Sequence, residues 1–257
     1  MKVAETSAIV SGGGSGLGEA TARKLAEGGA AVVVFDRSAE SAKRVATEIG
    51  GRATWVSGDA AAEDAVKEAI RAAVEIAPLR VVVACAGGAS RSARTVERDG
   101  TPHDLALFEN TVHGNLITAF YTLRLTGAAM SQQEPVDADG QRGVIVTTAS
   151  IAGYEGQIGQ IAYGAAKAGV IGMTLIAARD LAAVGIRVNC IAPGVIATPA
   201  WGVLSDERIA PFARTVPFPK RFGQPAEFAD LADSLIANDY VNGQVIRLDG
   251  GIRFGPK

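Results

Sequence analysis

The chain has little of what several function classes require. Only two cysteines and two histidines occur in 257 residues, too few for a zinc or other metal centre, and no metal is expected. Cys85 and Cys190 sit in apolar strand-like runs and read as small buried hydrophobes of a reducing compartment. No apolar run approaches the ~18 residues of a membrane span. The formal net charge of −2 argues against a general nucleic-acid-binding surface. Met1–Glu5 leads at once into Ser7-Ala8-Ile9-Val10, so no signal or transit peptide is read there and a cytoplasmic location is expected. Aromatic residues make up 5% and there are ten prolines, whereas 48% of the chain is hydrophobic and 31 residues are glycine. That is about 12% glycine against a usual ~7%. So apolar a chain has the surface to offset its conformational entropy. The glycines therefore belong to turns and close backbone approaches.

Short β-branched runs alternate with longer amphipathic stretches. Strands are predicted at Ala8–Ser11, Ala31–Phe35, Ala53–Val56, Val81–Cys85, Val144–Thr148, Ile186–Ile191 and Gln244–Leu248. Several are apolar at successive positions, which suits parallel strands covered on both faces. Helices are predicted at Gly18–Glu27, Ala39–Ile49, Glu63–Ile76, Asp104–Met130, Ala162–Ala183 and Pro225–Leu235. Strand and helix in strict alternation indicate an α/β doubly wound parallel sheet of about seven strands with helices on both faces. No linker divides the chain, so residues 1–257 read as one domain. Val195–Lys220, with four prolines, reads as a substrate loop in which Trp201, Val203, Leu204, Ile209 and Phe212 supply apolar surface, or as a segment covering an interface or the core.

After the first strand comes Ser11-Gly12-Gly13-Gly14-Ser15-Gly16-Leu17-Gly18. A glycine-rich strand-to-helix turn lets backbone amides and a helix N-terminus approach a pyrophosphate. The spacing is Gly-x-x-x-Gly-x-Gly (Gly12, Gly16, Gly18) rather than Gly-x-Gly-x-x-Gly, since Leu17 takes the sixth place. The second strand ends in Asp36, 18 residues past Gly18. A carboxylate there accepts from both adenosine ribose hydroxyls and repels a 2′-phosphate, which favours NAD over NADP. Arg37 beside it reads as a solvated loop residue, the alternative being a partner for a 2′-phosphate. Asp59, after the third strand, is placed either to meet the adenine edge or to serve the turn before the next helix.

Tyr163 and Lys167 are four apart in Ile161-Ala162-Tyr163-Gly164-Ala165-Ala166-Lys167, so on a helix they share a face. A tyrosine is a weak base near neutral pH, and a neighbouring ammonium stabilises its phenolate. Ser150 closes the fifth strand, 13 residues upstream, and suits a hydrogen bond to the same substrate oxygen. Ser11, Asp36, Asp59, Cys85–Gly87, Ser150 and Pro193–Gly194 all fall at or just past the C-terminal ends of predicted strands. Doubly wound sheets bind their ligands outside that edge.

These residues together resemble the short-chain dehydrogenase/reductase family over essentially the whole chain. The resemblance implies a Rossmann-like domain with Tyr163 as general acid/base. It also implies that Lys167 supports Tyr163 and the nicotinamide ribose, that Ser150 orients the substrate oxygen, and that Asn115 holds a water of the proton relay. It places Gly12, Ser15, Gly16, Leu17, Gly18, Asp36, Asp59, Ala60, Cys85, Ala86, Gly87, Pro193, Gly194, Ile196 and Thr198 around the cofactor, with Tyr163 and Lys167. One departure is visible: the family's Asn-Asn-Ala-Gly is here Ala84-Cys85-Ala86-Gly87, which removes an asparagine that braces the central helix. The stretches GQRGVIVTTASIAGYEGQIGQIAYGAAKAGVIGMTL and VNGQVIRLDGGIRF resemble the branch of the family that acts on 3-hydroxyacyl-CoA thioesters. That branch implies NAD-linked oxidation to the 3-oxo thioester and a homotetramer. Arg91, Arg94 and Arg98 in a polar insertion read as a solvated loop balanced by Glu97 and Asp99, the alternative being contacts to CoA phosphates. A 3-oxoacyl carrier-protein reductase, a hydroxysteroid or other secondary-alcohol dehydrogenase, and a non-catalytic dinucleotide sensor are the rival readings.

Overall fold

The computed structural model describes residues 1–88, 90–199 and 213–256. Among them seven strands form one parallel sheet: β1 (Ser7–Ser11), β2 (Ala31–Asp36), β3 (Thr54–Ser57), β4 (Leu79–Ala84), β5 (Gly143–Thr148), β6 (Ile186–Pro193) and β7 (Val245–Leu248). Their order is β3-β2-β1-β4-β5-β6-β7, so the direction of winding reverses between β1 and β4. The helices are α1 (Gly16–Glu27), α2 (Ala39–Ile49), α3 (Glu63–Ile76), α4 (Leu105–Val112), α5 (Thr118–Ser131), α6 (Ile161–Ala182) and α7 (Pro225–Ala237).

The continuous apolar strands follow from burial on both faces. Ala8, Val10, Val32, Val34, Val81, Val83, Val144 and Val146 point to one side, where they meet Ala22 and Leu25 of α1, Val45 of α2, and Phe228 and Ile236 of α7. The alternate residues Ile9, Val33, Phe35, Val82, Ile145 and Val188 point to the other, against Ala69 of α3, Leu123 and Met130 of α5, and Ala177 of α6. Each parallel crossover returns its helix antiparallel to the strands. Helices therefore start at the strands' C-terminal edge and finish at the opposite one.

Two expectations change. The helix predicted at Asp104–Met130 is interrupted by a π-helical turn at His113–Ile117. There the buried Asn115 turns its amide onto the Thr111 carbonyl at 3.0 Å and the Gly88 carbonyl at 3.1 Å, so side chain replaces backbone in the ladder. Asp104 is the cap of α4 and accepts from Ala106 N at 2.9 Å. Second, α6 is long and apolar enough, by length and composition, to cross a membrane; Lys167 interrupts its apolar run. Seven of its residues are buried, including Ala162, Ala166, Lys167 and Val170.

Candidate active site

The site begins where β1 turns into α1. Gly12 has φ +68°, and a Cβ there would stand 2.9 Å from Ala86 N across the switch point. At Gly18 a Cβ would stand 2.0 Å from the Gly12 carbonyl, so the helix closes against its own turn only without a side chain. Helix α1 opens at Ser15 with no side-chain bond into the first turn, which leaves the amides of Gly16, Leu17 and Gly18 for a ligand. Thr198 lies over this opening, 3.3 Å from where a Gly16 Cβ would be. Ser11 joins the two halves of the sheet: its carbonyl accepts from Cys85 N at 3.0 Å and its hydroxyl from Ala86 N at 3.3 Å.

Asp36 finishes β2 half-buried. One carboxylate oxygen accepts from Gly14 N at 2.9 Å and the other from Ser38 N at 2.9 Å, which fixes the carboxylate at the rim of the turn. Arg37 is exposed. Arg44 also reaches the turn, donating to the Gly14 carbonyl at 3.1 Å, while Glu19 at 2.7 Å and Glu48 at 3.1 Å pair its guanidinium. The Arg44 bonds hold the Glu19 carboxyl below the usual carboxylate range. Asp59 is exposed and its carboxylate accepts from Ala61 N at 2.9 Å, so it serves the turn before α3; Ala60 behind it is buried.

At the chemical end, Ser150 follows β5 and accepts from Ala152 N at 3.2 Å, capping a short 3₁₀ turn at Ile151–Gly153. Tyr163 stands half-buried in the first turn of α6. Lys167, one turn on, is buried, and its Nζ donates to the Thr148 carbonyl at 3.0 Å. That nitrogen is 5.7 Å from the centre of the Tyr163 ring. Thr148 also donates its hydroxyl to Cys85 Sγ at 3.7 Å. Cys190 is buried as expected, whereas Cys85 is half-buried as a residue. Burial pushes the Cys85 thiol up to about 12, which keeps it protonated and inert beside Lys167. A continuous chain of contacts thus runs from Gly12 through Ala86, Cys85, Thr148 and Lys167 to Tyr163.

Asn115 joins the same edge through Gly88, accepting from its N–H at 3.1 Å and donating to its carbonyl. This supplies the brace between strand and central helix that Ala84-Cys85 lacks. Pro193 ends β6 and Gly194 follows it; a Cβ on Gly194 would stand 2.8 Å from Asp249 Cβ. Ile196 is buried and bridged to Gly223. Arg91 and Arg98 are exposed, and Arg94 N bonds Glu97 at 3.0 Å, as a self-contained loop would. Trp201, Val203, Leu204, Ile209 and Phe212 lie outside the described residues. A cavity of about 560 Å³ lies beside Gly164, Ala165 and Ala168, on the side of α6 turned away from Tyr163 and Lys167. Thr148 and Arg44 carried no signal in sequence, because Thr148 acts through its own backbone carbonyl and Arg44 donates to that of Gly14.

Residues 6–208 match the family model described as short chain dehydrogenase. The chain belongs to the short-chain dehydrogenase family. It is 44% identical to 3-hydroxyacyl-CoA dehydrogenase type-2 of Rattus norvegicus over 250 residues, 97% of this chain and 95% of the relative. To the Homo sapiens protein of that name it is 43% identical, with the same coverage. The crystal structure of 3-hydroxyacyl-CoA dehydrogenase type-2 from Mycobacterium avium superposes with a TM-score of 0.96 at 51% identity, covering 98% of both chains. The chain is thus an oxidoreductase of this family, whose dehydrogenases use a nicotinamide cofactor. The residues present fit that group: the cradle at Gly12 and Gly18 would be filled by any Cβ, and the helix end behind it has no cap of its own.

Proposed function

We propose that the protein interconverts a 3-hydroxyacyl-CoA and a 3-oxoacyl-CoA, with NAD as its coenzyme and Tyr163 as the general acid/base. The observation that carries the reaction type is buried Lys167, held at the Thr148 carbonyl with its charge beside Tyr163. Kinship across nearly the whole chain with proteins named 3-hydroxyacyl-CoA dehydrogenase type-2 supports the substrate class. Asp36, fixed at the rim of the turn by Gly14 and Ser38, supports NAD over NADP, and Arg44 is engaged by Glu19 and Glu48 rather than offered to a 2′-phosphate.

The nicotinamide dinucleotide, when bound, supplies the hydride acceptor. The chain's own residues handle the oxygen and its proton. The first-turn amides of α1 hold the pyrophosphate, and Asp36 the adenosine ribose. Ser150 donates to the substrate oxygen and fixes its direction. Tyr163, as phenolate, takes the hydroxyl proton while the carbinol carbon gives up hydride; in the reverse direction it returns the proton. Lys167 sets its charge beside the Tyr163 ring, and its remaining donors would hold the nicotinamide ribose. Asn115 spends its side chain on Gly88 and Thr111, so its part in a proton relay falls to its main chain. We infer assembly as a homotetramer from the family resemblance of the sequence alone.

A substrate panel followed by the absorbance of the reduced nicotinamide tests this. Acetoacetyl-CoA should be turned over with NADH well ahead of NADPH, and ahead of its N-acetylcysteamine thioester if the CoA moiety is gripped. Turnover of simple secondary alcohols with no turnover of any thioester would overturn the substrate class. A preference for NADPH would overturn the role given to Asp36.

A further inference from the structure

The turn that carries Ser150 is held from a distance. Gly153 N donates to the Ser150 carbonyl at 3.0 Å, and the Ile151 carbonyl accepts from Tyr154 N at 2.9 Å and Glu155 N at 3.1 Å. Ser150 to Glu155 is therefore one compact hydrogen-bonded unit. Its near end continues β5. Its far end meets Arg247 of β7, 92 residues away in the chain.

Arg247 Nη1 donates to Glu155 Oε2 at 2.9 Å, and Nη2 pairs the other carboxylate oxygen. The rest of the guanidinium is committed as well. Nε donates to Asp249 Oδ2 at 2.6 Å and Nη2 to the Ile252 carbonyl at 3.0 Å. The ring of Tyr154 lies against the cation at 5.1 Å. Only 19% of the Arg247 side chain and 26% of the Glu155 side chain are exposed, so this bidentate pair is less screened than a surface one. A second tie joins the same segment to the C-terminal residues, Ile158 N donating to the Pro256 carbonyl at 3.0 Å. Nothing in the catalysis described above uses Arg247.

We propose that Arg247 is a positioning residue, which grips Glu155 and so holds the Ser150 hydroxyl where it meets the same substrate oxygen as Tyr163. This rests on the function given to Ser150. Arg247→Met should lower kcat with acetoacetyl-CoA and NADH by about 10²-fold, the scale of a small misplacement of a catalytic group. NADH affinity, read by fluorescence titration, should change less than about twofold, because α1 and Asp36 are untouched. Arg247→Lys should recover part of the loss, one donor replacing two.

The decisive measurement is the pair of Ser150→Ala with Arg247→Met. If Arg247 acts through Ser150, the double variant is no slower than Ser150→Ala alone. Losses that multiply, or an Arg247→Met enzyme within about twofold of the parent, overturn the proposal while leaving the role of Ser150 intact. A Ser150→Ala enzyme of unchanged rate overturns both, and identifies the failure as that of the functional reading. Should Arg247→Met not fold, Glu155→Ala answers the same question, since it keeps the Arg247–Asp249 bond and removes only the grip on the turn. Its loss of kcat must likewise vanish in the Ser150→Ala background.

Discussion

At one edge of the sheet the helices begin and at the other they end, and the start of α1 is finished in the opposite way to the ends of α5, α6 and α7. At the finishing edge, arginines from three neighbouring strands or their approaches cap the carbonyls. Arg80 donates to the Glu134 carbonyl beyond α5 at 2.6 Å and to the Arg142 carbonyl at 3.0 Å. Arg142 donates to the Gln133 carbonyl at 2.9 Å and the Val184 carbonyl at 3.4 Å. Arg187 takes the end of α7, reaching Leu235 at 2.9 Å and Ile236 at 2.7 Å. Cations there meet the negative ends of helix dipoles, and among the described residues only Gln141 Oε1 and Arg187 Nε are buried side-chain atoms without a hydrogen-bond partner. At the starting edge, α1 opens on glycines without a cap, and a buried lysine has a single carbonyl as its partner among the described residues. The far ends of α5, α6 and α7 are closed by the chain's own side chains; the start of α1 is left for a ligand to complete. The electrostatic asymmetry comes from the parallel topology, and side-chain choice turns it into stability at one edge and a binding site at the other.

The largest expected effect separates the two. Tyr163→Phe removes only an oxygen from a half-buried ring, so turnover should fall by about 10²–10⁴ while melting temperature and NADH affinity stay near the parent's. Steady-state rates beside a thermal scan check this. A variant that keeps the parent's rate would remove Tyr163 from the chemistry.

Arg187→Met should do the reverse. Arg187 is only 7% exposed, and burial already draws its guanidinium below its ordinary pKa, so it is held by its partners rather than by water. Removing it strands the Leu235, Ile236 and Val241 carbonyls at a cost of about 3 kcal/mol. For a chain of this size that is a fall in Tm of roughly 6–12 °C. The folded enzyme should keep its kcat and its NADH affinity. Loss of kcat with no loss of Tm would break the division between the edges.

The starting edge was far more legible in sequence than the finishing one, for a physical reason. Gly18 is demanded by its close approach to the Gly12 carbonyl and Gly12 by its own positive φ, and Tyr163 and Lys167 share a face within one helical turn, so spacing alone exposes them. Arg80, Arg142 and Arg187 bond backbone carbonyls of other elements, and any residue type provides those. The π-turn at Asn115 is hidden for the same reason, since its partner Gly88 lies 27 residues away. The Arg247–Glu155 pair spans still more chain. Asp59 shows the converse limit: its position after β3 suits both adenine and a turn, and its bond to Ala61 N serves the turn without deciding against adenine. Strand order and two-sided burial needed no such long-range knowledge, because apolar runs between amphipathic helices report them directly.

The smallest effect sharpens the comparison most. Helix α7 starts at the same edge as α1, yet its opening is finished internally: Glu227 accepts from Gln224 N at 2.7 Å and pairs Arg221 at 2.7 Å. These bonds, Arg221 first, push the Glu227 carboxyl down to about 2. A carboxyl depressed on folding contributes stability that is present above its ordinary value and is lost as pH falls through the folded one. Glu227→Gln should therefore lower Tm at neutral pH, by no more than about 1 kcal/mol of stability because the pair is exposed to solvent. The difference should shrink between the ordinary 4.5 and about 2, and kcat and NADH affinity should not move. If Glu227→Gln instead weakened NADH binding, position at the edge would decide function. If it behaves as Arg187→Met does in miniature, what marks the site is the helix end that the chain leaves without a partner of its own.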